Sequence, residues 1–143
     1  MHNITIRPAK EEDYEQLLRL YSLFTERDYS GHDNDAFKKV LQSDTSFIFV
    51  AEHETMLIGT VLITVRDVIR YARPIAEVDE LFVLEAYRKQ GVGKQLMHVV
   101  EEKTKELNCQ RIYLESASDR KAAHAFYEKL GYTNYGFCFK KDL

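Results

Sequence analysis

The segment Tyr87–Lys94, YRKQGVGK, sets Arg88, Lys89 and Lys94 around Gly91 and Gly93, with Gln90 as a neutral donor. Glycine removes the Cβ where a ligand must come close to the backbone. Beyond Gly91, the residues Val92, Leu96, Val99, Val100 and Leu107 recur at helical spacing, so the turn opens a helix. The first amide N–H groups of that helix find no partner within it, and they lie at the positive end of its dipole. Together with the cations they suit an anion of diphosphate size. Neither GxxxxGK[ST] nor a GxGxxG after the first strand is present, which excludes the Walker and Rossmann loops. On its own, RxxGxG is more often a basic turn that needs glycine to start its helix. Its surroundings decide its meaning.

Directly upstream lies EVDELFV, Glu77–Val83, which mixes the carboxylates Glu77, Asp79 and Glu80 with core residues. A carboxylate here could accept a proton from an amine, since free amines are mostly protonated at neutral pH. Strand alternation puts Glu77 and Asp79 on one face and Glu80 on the other, unless a bulge intervenes. Solvated edge acids are the plain alternative for any one of them. Cys109 and Cys138 show no CxxC and no ligand spacing with histidine, so they read as buried, reduced thiols and no metal site is expected. His32 and His53 fall in loops, and His124 lies on a helix; none is assigned chemistry.

The elements that must hold these groups follow from periodicity. Ile4–Arg7 reads as a strand ended by Pro8, and about Lys10 to Glu26 as a helix through Tyr14, Leu17, Leu18, Tyr21 and Phe24. A short helix is expected near Asp35–Leu41, buried through Phe37, Val40 and Leu41, with a polar loop at Arg27–Asn34 between the two. Phe47–Ala51 and Leu57–Val65 form an antiparallel hairpin, and Ala76–Val83 a third strand of that group. After the Gly91 helix come a strand at Arg111–Ser116, a helix at Arg120–Leu130 closed by Gly131, and a last strand at Phe137–Lys140. The sum is an α/β fold without repeats or linkers, read as a single domain over 1–143.

Composition narrows the class. Hydrophobic residues at 45% and charged residues at 30% match a globular domain with a real core. No apolar run reaches the roughly 18 residues of a membrane span, and the start MHNITIRPAK lacks a signal-peptide core, so a cytoplasmic protein is expected. A net charge of −3 argues against nucleic acid and anionic membrane as partners.

In this setting VDELFVLEAYRKQGVGKQLM resembles the acetyl-CoA-binding core motif of the GNAT superfamily of N-acetyltransferases. IYLESASDRKAAHAFYEKLGY is similar to its second motif, which ends in a FYEKLGF-like signature, and IRPAKEEDYEQLLRLY to its opening helix. Three matches in order, over most of the chain, make the resemblance strong. It implies a GNAT-like mixed, mostly antiparallel sheet flanked by about four helices, with central strands splayed to admit acyl-CoA. It further implies that an amine attacks the thioester directly, without an acyl-enzyme. Leu81, Phe82 and Val83 would hold the pantetheine arm through backbone hydrogen bonds and polarise the carbonyl. The diphosphate would rest on Arg88, Lys89, Gln90, Gly91, Val92, Gly93 and Lys94.

Tyr127, in AFYEKLGY, matches the family position that serves the departing thiolate. Phe126 with Ala122 and Leu130 already makes an apolar stripe, which favours that role for Tyr127 over packing. For the general base the resemblance ranks Glu80 and Glu77 above Asp79. Two departures stand out: Lys89 occupies a position that is often glycine in the family, and Arg120 one that is often asparagine. AAHAFY and FCFKKDL carry a further likeness to members that acetylate aminoalkylphosphonates. Acceptor choice falls to Glu26–Asp35, an aromatic and acidic loop, and to Arg66–Arg73, whose arginines suit an anionic substrate. The resulting expectation is acetyl transfer from acetyl-CoA to a small-molecule amine, in a family where homodimers are common. A protein lysine or N-terminal acetyltransferase and a non-catalytic acyl-CoA sensor are the alternatives.

Overall fold

A computed structural model describes residues 3–143. The chain separates into two compact units, Met1–Tyr113 and Leu114–Leu143, each described here by itself.

The first unit is organised by four antiparallel strands in chain order: β1 (Ile4–Pro8), β2 (Ser46–His53), β3 (Met56–Arg66) and β4 (Ile75–Val83). A fifth strand, β5 (Arg111–Leu114), lies next to β4 in the sheet order. The Gln110 N–H donates to Pro74 O at 2.8 Å, so β5 starts where β4 starts and must run parallel to it to pair. The sheet is therefore mixed and mostly antiparallel, as expected. β5 has 4 residues against 9 in β4, so it cannot pair along the whole of β4, and the half toward Val83 extends beyond it.

Two helices cover one face, α1 (Tyr14–Thr25, entered through a 3-10 turn at Glu11–Asp13) and α2 (Asp35–Gln42). Leu17 and Leu20 of α1 pack on Ile48, Val50 and Leu57, with Tyr21, Phe37, Val40, Leu62 and Leu84 around them. α2 buries no residue fully; Phe37, Val40 and Leu41 are half-buried, because an 8-residue helix at the margin of the sheet covers little of it. The opposite face carries α3 (Val92–Glu106), whose Val92, Leu96, Met97 and Val100 are buried. Gly59 marks the closest approach there: a Cβ would lie 3.0 Å from Phe82 O and 3.3 Å from Leu96 Cδ1.

The second unit contains α4 (Lys121–Lys129), ended by Gly131 at φ +93°. The strand expected at Phe137–Lys140 does not form; no regular element follows α4, and Phe137 and Phe139 are 92% and 90% exposed. Its alternating aromatics supply a strand pattern, but a strand needs a pairing edge as well as a pattern. Cys138 travels with that segment, so the expectation of two buried thiols fails. Cys138 is exposed, with its thiol donating to Glu115 Oε2 at 2.5 Å, and Cys109 is half-buried.

Candidate active site

β4 carries the three acids, and one irregularity decides where they point. Pairing runs Thr64 with Glu77, Ile63 with Val78, then Leu62 with Glu80, so Asp79 is the extra residue of a β-bulge. Cross-strand partners share a face, and Leu62 and Thr64 lie two apart on β3. Glu77 and Glu80 therefore emerge on the same face, that of α1, where unbroken alternation would have separated them. Asp79 turns to it too, accepting from Thr64 Oγ1 at 2.5 Å. This corrects the alternation-based reading; the bulge is invisible in EVDELFV itself.

The acids differ in their company. Glu77 is half-buried and takes Arg66 Nη1 at 3.1 Å, while the exposed Asp79 is bound to Thr64. Glu80 is half-buried, and burial raises its pKa, with the Asp79 charge adding to that and the Tyr21 hydroxyl opposing it. Tyr21 comes from α1, packed edge-on against Phe82 at 5.2 Å, and Phe24 stacks on the same Phe82 ring at 4.0 Å. Sequence reasoning counted Tyr21 only as a member of the apolar stripe. Nothing local to α1 marks it as Glu80's partner.

Beyond Glu80 the strand runs on through Leu81, Phe82 and Val83. Leu81 and Val83 pair with Val61 and Gly59 on the α3 face, and Phe82 turns toward α1. A cleft of about 180 Å³ opens beside this end of β4, walled by Leu20, Leu23 and Phe24 of α1 and by Phe82, Leu84 and Arg88.

The turn that follows is held by its own hydrogen bonds. Arg88 Nε donates to Val83 O at 2.9 Å, Gln90 Nε2 to Ala86 O at 2.8 Å, and Tyr87 shares a 2.8 Å bond with His53 Nδ1. His53 thus sits at the end of β2 rather than in a loop. Lys89 adopts φ +61°, the left-handed conformation that explains why glycine suits that position. Gly91 is the N-cap of α3 at φ +83°; it brings no capping side chain, and a Cβ built on it would meet nothing within 4 Å. The first helical bond closes from Gln95 N to Gly91 O, so the preceding amides of Val92, Gly93 and Lys94 have no partner within the helix. No acidic residue stands in the first turn of α3, and Arg88, Lys89, Gln90 and Lys94 are exposed. The Val92 side chain is buried, so only its backbone can serve a ligand.

In the second unit, Tyr127 packs edge-on against Phe126 and Tyr132, and burial raises its pKa while Arg120 acts in the opposite sense. The half-buried side of α4 runs through Ala123, Phe126, Tyr127 and Leu130, whereas Ala122 is exposed. Ala122 therefore does not belong to the stripe, and Tyr127 does. His124 bonds the Ala117 carbonyl through Nε2 at 2.8 Å and braces the entry to the helix.

A half-buried strand acid followed by an uncapped, glycine-rich, cationic helix start suits proton transfer beside an anchored phosphate ester. The family model described as Acetyltransferase (GNAT) family matches residues 14–132. The chain belongs to that family. GNAT acetyltransferases use acetyl-CoA as donor.

Over 140 residues the chain is 29% identical to the aminoalkylphosphonate N-acetyltransferase of Salmonella typhimurium, covering 96% of this chain and 90% of the relative. It is 28% identical over 132 residues to N-alpha-acetyltransferase 30 of Schizosaccharomyces pombe, covering 92% and 85%. Among solved structures, a transcriptional regulator from Bacillus halodurans C-125 superposes with a TM-score of 0.90 at 27% identity, covering 99% of this chain and 100% of the other. No helix among the described residues is long and apolar enough to cross a membrane.

Proposed function

We propose that this GNAT protein transfers an acetyl group to a primary amine of a small molecule by direct attack in a ternary complex. One observation carries the reading: β4 presents a half-buried carboxylate, Glu80, and then runs into a turn built to hold an anion. Acetyl-CoA supplies the acetyl group as a thioester. The exposed amides and cations of Arg88–Lys94 suit its diphosphate, and the part of β4 beyond β5, at Leu81–Val83, suits strand-like binding of its pantetheine arm. A backbone N–H there would also stabilise negative charge on the carbonyl oxygen.

Glu80 takes one proton from the ammonium form of the acceptor and leaves a neutral nitrogen. Its raised pKa brings it closer to the working pH, where a general base is most effective. Glu77, held by Arg66, serves charge balance on the same face rather than proton transfer. As the C–N bond forms and the C–S bond breaks, Tyr127 gives its phenolic proton to sulfur. It recovers the proton shed by the new amide nitrogen through solvent. The AFYEKLGY match supports this role, as does burial, which keeps the phenol protonated in the resting state.

Similarity to the aminoalkylphosphonate enzyme favours a small acceptor. The arginines offered for an anionic acceptor have other engagements. Arg66 holds Glu77, Arg70 lies over the Tyr71 ring, and Arg73 reaches Asn108 at 3.4 Å. The acceptor is thus defined by its amine.

The test is thiol release from acetyl-CoA against three acceptors: an aminoalkylphosphonate, an aminoglycoside, and a peptide with a free N-terminus. Turnover on either small amine supports the proposal, and turnover on the peptide alone replaces it with protein acetylation. Acetyl-CoA binding without turnover would make the protein a sensor. As a check on the donor site, Gly91→Ala should weaken CoA binding about tenfold by calorimetry. It forces a side chain into the left-handed region, at about 1–3 kcal/mol, where the diphosphate approaches.

A further inference from the structure

Among the described residues no cation is paired with Glu80, whereas Glu77 is held by Arg66. The groups acting on its carboxyl are the Tyr21 hydroxyl from α1 and the neighbouring Asp79 on β4, while Tyr29 acts in turn on Tyr21. On β3 its partner is Leu62, which cannot hydrogen-bond. Tyr21 is fixed by rings on two sides, Phe82 at 5.2 Å and Tyr29 at 6.4 Å, both edge-on, and Tyr29 is tied by its hydroxyl to Thr25 Oγ1 at 2.9 Å. These contacts, set by α1 and the loop after it, hold the phenol on the face of β4 that Glu80 and Phe82 share.

We propose that Tyr21 is a positioning residue for the reaction: its hydroxyl donates to the Glu80 carboxylate, aims it across the α1 face, and sets the pH at which it becomes a base. The proposal rests on the reading of Glu80 as the proton acceptor. Two features carry it: the bulge that turns Glu80 to the α1 face, and the aromatic clamp that holds Tyr21 on that face against Phe82, two residues along the same strand. Burial, then the Glu80 charge and Tyr29, drive the Tyr21 pKa upward, so the phenol keeps its proton and acts only as donor. A hydrogen bond to the charged form of a carboxyl favours that form, so the hydroxyl opposes the upward pull of burial on Glu80.

Tyr21→Phe keeps both ring contacts and removes only the donor. In an NMR titration following the Glu80 carboxyl carbon, the midpoint should move to higher pH in Tyr21→Phe than in the wild type. An unchanged or lower midpoint overturns the proposal. With acetyl-CoA and an acceptor from the panel above, the acidic limb of kcat/KM should move the same way. The acid-side rate should fall about tenfold, with the alkaline plateau much less affected. A role confined to packing would leave the limb in place, and that result also overturns the proposal. Tyr21→Leu, which loses ring and hydroxyl together, must shift the NMR midpoint in the same direction.

Glu80→Gln separates this inference from the reading beneath it. If Glu80→Gln keeps the wild-type acidic limb, Glu80 is not the base, whatever Tyr21 does to its titration. If Glu80→Gln loses the limb and Tyr21→Phe leaves it untouched, Glu80 stands and the positioning role falls.

Discussion

Asp13 and Glu80 both meet α1, and they are treated in opposite ways. Asp13, at the entry to the helix, is 5% exposed and fully matched. Arg7 grips it with two nitrogens at 2.8 and 2.9 Å, and the Lys10 N–H donates to it at 2.7 Å. Arg7 also holds Glu52 at 2.6 Å, so one guanidinium ties β1, β2 and the start of α1 together. That pairing lowers the Asp13 pKa. Glu80 faces the second half of the same helix with a phenol and another acid for company, and its pKa rises. A carboxylate given a cation is a fixed strut; one given only a neutral donor stays able to take a proton.

The sharpest way to break this contrast is to neutralise each acid in turn. Glu80→Gln should cut turnover at least about a hundredfold, as loss of a general base does, and leave the fold standing. Asp13→Asn should do the reverse. It should lose roughly 3 kcal/mol in denaturant unfolding by breaking the largely buried two-nitrogen Arg7–Asp13 pair, with turnover of the folded fraction nearly intact. Equal losses of activity in the two variants would end the distinction.

Arg7→Met sharpens it from the other side. Without its cation Asp13 becomes a buried, poorly compensated acid, and its NMR titration should move upward, toward the behaviour of Glu80. Gly59→Ala should disturb only the Glu80 region. Its Cβ would press on the Phe82 carbonyl of β4, costing about 1–3 kcal/mol and lowering turnover, while the Arg7–Asp13 titration stays as it was.

The smallest effect lies in pH dependence. Asp13 has its folded pKa lowered, so its contribution to stability is complete above the ordinary aspartate range, near about pH 4. It is lost as pH falls through the folded value, and Asp13→Asn should flatten that acid slope. Glu80 has its folded pKa raised, so its contribution is complete below the ordinary glutamate range. It is lost as pH rises through the folded value, and Glu80→Gln should gain on the wild type over that rise. Unfolding curves at a series of pH values check both signs.

Much of the frame was legible in the chain. Helical spacing from Tyr14 to Phe24 and after Gly91, and β-rich runs around Glu52–Thr55, follow from periodicity, which is local. Gly91 was legible as bare backbone before a helix and Lys89 as a residue standing where the family often has glycine; that both adopt left-handed backbone is a finding of the structure. Phe137–Lys140 misled for the complementary reason: alternating aromatics mark a strand only where an edge is ready to receive it, and an edge is not local information.

The sequence by itself determined the donor side, namely the order of elements, the uncapped cationic start of α3 and the family motifs around it. Each of these is written in residues that are neighbours in the chain. Only the tertiary structure decided how the acids of β4 are placed. The bulge at Asp79 depends on how β3 and β4 register, and it brings Glu77 and Glu80 to one face. Tyr21 lies on that face only because α1 packs across it, so what sets the surroundings of Glu80 apart from those of Asp13 lies in contacts distant in sequence.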